Sequence, residues 1–242
     1  LELMENYTHP ETGNVISLDQ LKVGGFSNAA FVLTPGGTLG DLYTTVDINR
    51  DEFGNVYVDK DGNISRNAEI GYRKLGSVFS KANMAWNNDF NVGNLNFGFL
   101  ISARLGGIVY SATQARLDNF GVSEASALAR DNGGVMVDGY SIDPYKWYSV
   151  VGADSGIPQY YTYDATNVRL QEAHIGYTIP RKKLGGLMDI TLSLVGRNLW
   201  MIYCKAPFDP ESIATAGNYY QGIDSFMMPS TRNVGFSLRL KF

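Results

Sequence analysis

The 242-residue chain has one cysteine, two histidines, no excess of basic charge and no long hydrophobic run, and each shortage closes off a class of protein. Cys204 stands alone, so no internal disulfide can form, and one cysteine does not decide a redox compartment. A net charge of -4 argues against a nucleic-acid footprint. Without a run of about 18 apolar residues there is no transmembrane helix, yet a membrane barrel leaves a weaker trace, because only alternate residues of its strands are apolar. The opening LELMENYTHPETG is polar and mixed, not a signal sequence, so the chain is either mature or lacks its beginning. No carboxylate pair, Ser-His-Asp set or metal cluster stands at a mechanistic spacing, which argues against an enzyme. His174 lies among strand residues with no second histidine or cysteine near it in sequence. That placement favours a structural histidine on a wet face over a base or ligand.

What the chain does have is alternation. In the final stretch STRNVGFSLRLKF, Val234, Phe236, Leu238, Leu240 and Phe242 share one parity and Gly235, Ser237, Arg239 and Lys241 the other. Ser77 to Leu105 reads as a hairpin about a short NDFNVGN turn, with Met84 and Trp86 opposing Asn83 and Asn87, and Phe97, Phe99 and Ile101 opposing Asn96, Ser102 and Arg104. Asn167 to Pro180 and Met188 to Trp200 repeat the pattern, the second with a parity break near Gly196 such as a bulge allows. Each strand has one greasy and one polar face, as a membrane barrel requires. Tyr (15), Phe (12) and Gly (27) suit strands, tight turns and interfacial aromatic girdles. Lys81, Arg104, Arg197, Arg239 and Lys241 all fall on the polar parity and are expected to line a lumen, paired with carboxylates on elements outside this sequence.

Between the strands lie longer stretches. Asn14 to Leu21 reads as a short helix or a strand, and GGFSNAAFVLTPGG as a strand-like run between glycines. Thr38 to Gly76 reads as a long polar loop with its own hairpin around DEFGN and DKDGN turns. Within it Asp47, Asn49 and Asp51 alternate like the oxygen ligands of a calcium loop, but Glu52 replaces the expected glycine and no acid stands at the twelfth position. A solvated acidic turn is the stronger reading, and no cofactor is expected. Gly106 to Ala165 reads as a loop of about sixty residues, a length that usually carries function. Its Tyr145, Trp147, Tyr148, Tyr160 and Tyr161 combine apolar area with a polar handle and as a group are candidates for gripping sugars or peptides, although for any single one packing of the loop on itself or a place in the interfacial belt is the stronger reading.

Four motifs in order resemble the C-terminal end of the SusC/RagA class of TonB-dependent outer-membrane receptors. They are Arg169-Leu170 with Gly176-Tyr177-Thr178 and Pro180, Arg197-Asn198-Leu199-Trp200, Asp209-Pro210-Glu211, and Pro229 with Arg232 and the terminal Phe242. Upstream, GDLYTTVDINRD resembles a further segment of that class, so the resemblance spans most of the chain after about the first thirty residues. It implies an all-β fold, the antiparallel C-terminal strands of a transmembrane barrel of about twenty-two strands with long extracellular loops. It also implies a plug and N-terminal strands that are absent here, so that residues 1–242 form the C-terminal part of a longer receptor in a Gram-negative outer membrane. The implied function is TonB-energised import of oligosaccharides or oligopeptides beneath a SusD-like surface lipoprotein.

If Phe242 is periplasmic, the loops Thr38 to Gly76, Gly106 to Ala165 and Cys204 to Ser230 are extracellular, and turns 89–93 and 181–187 periplasmic. FDPES and NYYQGIDSFMMPS then contribute to the mouth, where Asp209 and Glu211 are ligand candidates unless the D-P-E turn simply shapes its loop. Asn233, Gly235, Leu238, Leu240 and Phe242 also resemble the signal read by the outer-membrane assembly machinery. Two rivals share parts of this pattern. A passive porin has the same strands, and a soluble carbohydrate-binding β-sandwich would bury the apolar faces.

Overall fold

The computed structural model describes residues 7–8, 10–13, 15–16, 19–213, 217 and 220–242. The fold is mostly β, with mainly antiparallel sheets and, among the described residues, three short α-helices and two 3-10 turns. It divides into two compact units.

The first unit comprises residues 80–107, 164–212 and 228–242. It is a five-stranded antiparallel sheet of β1 (Ala82–Val92), β2 (Leu95–Leu105), β3 (Asn167–Ile179), β4 (Asp189–Cys204) and β5 (Asn233–Lys241), in the order β5-β4-β3-β2-β1. The five strands expected from alternation are these five, and the C-terminal strand pairs with β4. Strands of nine to sixteen residues are long enough to cross a hydrocarbon core when tilted. Register carries the alternation across the whole sheet. Phe90, Phe97, Ile175, Leu194 and Phe236 stand opposite one another in one row, and Val92, Leu95, Tyr177, Leu192 and Leu238 in the next. Along the first of these rows Phe90 and Phe97 stack with centroids 5.0 Å apart. These apolar side chains are largely exposed, Phe236 to 87%.

The opposite face is polar. Arg197 Nε donates to Glu172 Oε2 at 2.9 Å, so at this position the expected pairing with a carboxylate outside the sequence is replaced by a partner on the neighbouring strand. His174 Nε2 lies 3.5 Å from Asp89 Oδ1 across Gly98, where a Cβ would come within 2.4 Å of that same oxygen. Arg239 stands opposite Thr191, Lys241 opposite Asp189, and Arg104 opposite both Asn83 and Asn167. Lys81 precedes β1 and its stem packs at Gly106.

One local expectation is corrected and one is located more closely. The β1–β2 turn is only Gly93-Asn94, because Asp89 and Asn91 stay in register on the polar face instead of opening a turn; Gly93 takes the positive φ of 59°. The irregularity near Gly196 centres on Asn198, at φ 51°, where β4 carries an extra residue against β3.

The second unit comprises residues 1–79, 108–163 and 213–227. Its four-stranded antiparallel sheet joins Leu21–Gly25, Ala29–Leu33, Asp41–Thr44 and Arg73–Ser77 in chain order, and Ile108–Ser111 pairs in parallel with Ile223–Asp224. Within Asn14 to Leu21, Val15–Ile16 is a strand pairing with Tyr7–Thr8 and Asp19 is a bend; residues 14, 17 and 18 lie outside the described residues, as do 218 and 219 of the NYYQGIDSFMMPS segment. Thr38 to Gly76 is not a free loop, since it supplies two strands of that sheet. It also carries two successive turns of one design, in which Asp51 and Asp59 each accept the backbone N–H four residues on, and Val56 and Ile64 are buried behind them.

Gly106 to Ala165 is likewise corrected from a loop to folded structure. It holds α1 (Ala112–Asn119), α2 (Glu124–Asp131) and α3 (Pro144–Val151), and a hairpin of Val135–Val137 with Tyr140–Ile142. Each helix spans about two turns, too short for a 3.6-residue period to register, so the legible signals are the caps. Ser111, Ser123 and Asp143 accept from the backbone N–H three residues on, and Pro144 opens α3. The core gathers Phe31, Leu42, Trp147, Val151, Ile157 and Ile223.

Candidate functional site

Three of the four motifs of the sequence meet at one side chain, and the fourth is tied in beside it through Ser230 and Thr231. Arg169 on β3 is only 4% exposed. It sends Nη2 to Asp209 Oδ1 at 2.7 Å and Nη1 to Oδ2 at 3.3 Å, and Nη2 lies 3.1 Å from Glu211 Oε2. Nη1 and Nε donate to Asn198 Oδ1 and Asn167 Oδ1 at 3.4 Å each. A bidentate guanidinium with extra acceptors is the arrangement in which a buried charge is best compensated. Asp209 accepts in addition from Ser230 Oγ and Glu211 N, while Asn198 Nδ2 donates to the Thr231 carbonyl. Burial works to raise the Asp209 carboxyl, but the bonds from Arg169 and Ser230 outweigh it and hold the acid below the usual carboxylate range. Asp209 and Glu211, expected as ligand candidates, are therefore both engaged in tying the D-P-E loop to β3.

Beside this cluster is an open groove of about 390 Å³, lined by Met201, Cys204, Pro207, Phe208, Asp209 and Arg232 among others. The Cys204 thiol, on the last residue of β4, donates to the Ala206 and Phe208 carbonyls and so fastens the loop that follows. At the β3 entrance, hydrogen bonds from Lys205 and Thr166 hold the Asp164 carboxyl down at about 2.

The aromatic candidates divide. Trp147 and Tyr161 are core residues, 5% and 3% exposed, and do not present a face to a ligand; burial drives the Tyr161 phenol far above its usual range. Tyr148 is half-buried, and Tyr160 packs edge-on against Trp147 at 5.3 Å. Tyr145 stands 78% exposed. The sequence carries no signal separating them, because three sit on the short helix α3 and two on a 3-10 turn after it, and the buried side of each is fixed by packing. Of the calcium candidates, Asp47 accepts from Arg73 and Asp51 from its own turn, while Asn49 Nδ2 donates to Ser65 Oγ. Among the described residues no three His, Cys, Asp or Glu side chains come together to hold a metal.

Sequence reading missed a second feature, in the unit that holds the helices. A cavity of about 160 Å³ is bounded by Phe26, Asn28, Tyr110, Arg116, Asp154 and Phe226. Asn28 is 2% exposed; its Nδ2 donates to the Gly156 carbonyl at 2.9 Å, and its Oδ1 has no partner among the described residues. Arg116 and Asp154 form an ion pair at the rim. Phe26 meets Tyr110 edge to face at 6.4 Å, and burial pushes the Tyr110 phenol up against a smaller opposing bond from Asn28.

No protein-family profile and no curated protein matches the chain. Solved structures do. The fold is that of part of the RagAB peptide importer. Against its closed-closed state the TM-score is 0.55 at 13% identity, over 88% of this chain and 26% of the other. A second RagAB transporter structure gives 0.59 at 11% identity, over 93% and 25%, and the open-open state 0.55 at 13%, over 99% and 24%. The chain thus spans about a quarter of the length of the proteins it matches. At such identity the likeness is one of fold, and it extends over both units, so the helical unit is part of the shared architecture and not an addition to it.

Proposed function

We propose that this chain forms part of the barrel of an outer-membrane importer of the SusC/RagA class, integral to a Gram-negative outer membrane. Its cargo is oligopeptide or oligosaccharide, energy comes from TonB through a plug, and a SusD-like surface lipoprotein is its partner. The observation that carries the reading is the five-stranded sheet whose apolar rows run unbroken from β1 to β5 and stand exposed, while charged side chains occupy the other face. In water such a face is a liability; in lipid it is the surface that makes insertion favourable. Among the described residues β1 and β5 each have one unpaired edge, and lipid tolerates none, so the reading calls for further strands to complete the ladder. The connections support the same orientation. The turns β1–β2 and β3–β4 are short, whereas the chain before β1, the β2–β3 connection and the β4–β5 connection all belong to the opposite ends of the strands. Those three connections are the counterparts of the extracellular loops.

Uptake of a labelled oligopeptide and a labelled oligosaccharide by cells carrying the natural protein tests this reading. Saturable uptake of either that stops when the proton-motive force is collapsed is expected. Uptake indifferent to that force would make the protein a porin, and release of the chain from membranes by alkaline wash without detergent would remove the barrel altogether.

A further inference from the structure

The cavity in the helical unit has three properties that packing alone does not explain. A buried amide oxygen without a donor costs on the order of 1–3 kcal/mol and is normally relieved by a partner or a water. Among the described residues none donates to Asn28 Oδ1, and its residue lines the cavity. Second, the guanidinium at the rim is matched to Asp154, a side chain 72% exposed, so this pair is weak and its acid can be exchanged for another. Third, the two rings in the wall meet at 71°, which offers a corner for a small side chain and no flat platform for a sugar ring.

We propose that the cavity bounded by Phe26, Asn28, Tyr110 and the Arg116–Asp154 pair binds the C-terminal residue of a short peptide. The peptide carboxylate replaces that of Asp154 on Arg116, and the last backbone N–H donates to Asn28 Oδ1. One α-amino acid unit carries both groups on a single Cα, and a cavity of about 160 Å³ suits one small residue. Arg is the side chain best shaped to take a carboxylate in two-pronged fashion, and the displaced Asp154 returns to water, where it is nearly at home already. The proposal rests on the importer reading only for the source of the peptide; the site itself is defined by its residues.

Calorimetry on the natural protein in detergent micelles tests it, with trialanine, trialanine amide and the depsipeptide in which oxygen replaces the last N–H as probes. Trialanine is expected to bind, with the amide and the depsipeptide each weaker by about tenfold or more, as loss of a charge-assisted or buried hydrogen bond implies. Arg116→Gln should erase the preference for acid over amide, and Asp154→Asn should tighten trialanine by removing its competitor. Equal binding of acid and amide, no effect of Arg116→Gln on that preference, or no binding of trialanine would overturn the proposal and leave a water as the partner of Asn28. Loss of energised uptake with this binding pattern intact would instead remove the importer reading and leave the site standing.

Discussion

Arg169 and Asp209, forty residues apart, form a two-pronged ion pair with both side chains nearly withdrawn from solvent, at 4% and 11% exposure. Removing one partner of such a pair leaves the other charge buried and unmatched, which costs about 3–5 kcal/mol. Arg169→Met is therefore expected to lower the unfolding midpoint steeply. The double change Arg169→Met with Asp209→Leu should recover most of the loss, because the unpaired charge goes with it. Denaturant titration followed by gel mobility of folded and unfolded forms measures both. A double variant as unstable as the single would mean that the other bonds of Arg169, to Asn198, Asn167 and Glu211, carry the stability instead.

Acid stability should depend on Asp164. Its bonds from Lys205 and Thr166 place its folded pKa at about 2, below the unfolded value of about 3.9. A depressed acid contributes stability that is fully present above the unfolded value and disappears as pH falls through the folded one. Parent protein should thus exceed Asp164→Asn in stability at neutral pH, with the gap closing between about pH 4 and pH 2. The gap will be modest because the side chain is 40% exposed and water screens the pair. Parallel acid profiles for the two proteins would show that the pair contributes nothing.

The sheet was legible in the sequence and the helical unit was not, for one physical reason. A two-faced strand repeats every second residue, so nine residues such as Asn233–Lys241 already show four or five cycles. A helix of eight residues shows about two, and α1, α2 and α3 sit in a unit whose buried faces are set by contacts distant in sequence. Hence Trp147 and Tyr145, two residues apart on α3, look alike as letters and end up on opposite sides of the surface. The D-P-E and R-N-L-W motifs were readable, and Arg169 shows why those separate segments belong together. Asn28 gave no signal at all, since a missing hydrogen bond exists only once the fold is formed.

Gly98 makes room for the Asp89 and His174 side chains that meet over it. A Cβ there would lie 2.4 Å from Asp89 Oδ1, 2.6 Å from His174 and 2.7 Å from the Asn88 carbonyl oxygen. The backbone contact cannot swing away, so Gly98→Ala should cost about 1–3 kcal/mol through overpacking. Gly93→Ala, in open space but at positive φ, should cost about 1–2 kcal/mol from backbone strain. Adding Asp89→Ala to Gly98→Ala should relieve only part of the first loss, since the carbonyl remains. Complete relief would assign the crowding to the carboxylate alone.

Phe236 and Ser237 are neighbours on β5 that point to opposite faces, and they separate the lipid reading from a soluble one. Phe236 closes the row through Leu194, Ile175 and Phe97, is 87% exposed, and on the barrel reading touches hydrocarbon. Arginine on a lipid-facing strand costs about 2–4 kcal/mol near the bilayer midplane, whereas arginine on the lumen face stays hydrated. Phe236→Arg should therefore reduce the yield of assembled protein in outer membranes and lower its unfolding midpoint. Ser237→Arg should assemble close to the parent level, since Ser193 opposite it faces the same polar side. On a soluble sheet both positions are exposed to water, and a surface Phe→Arg change is tolerated within about 0.5 kcal/mol. Equal assembly of the two variants would count against lipid contact at Phe236, and a larger defect in Ser237→Arg would reverse the assignment of the faces.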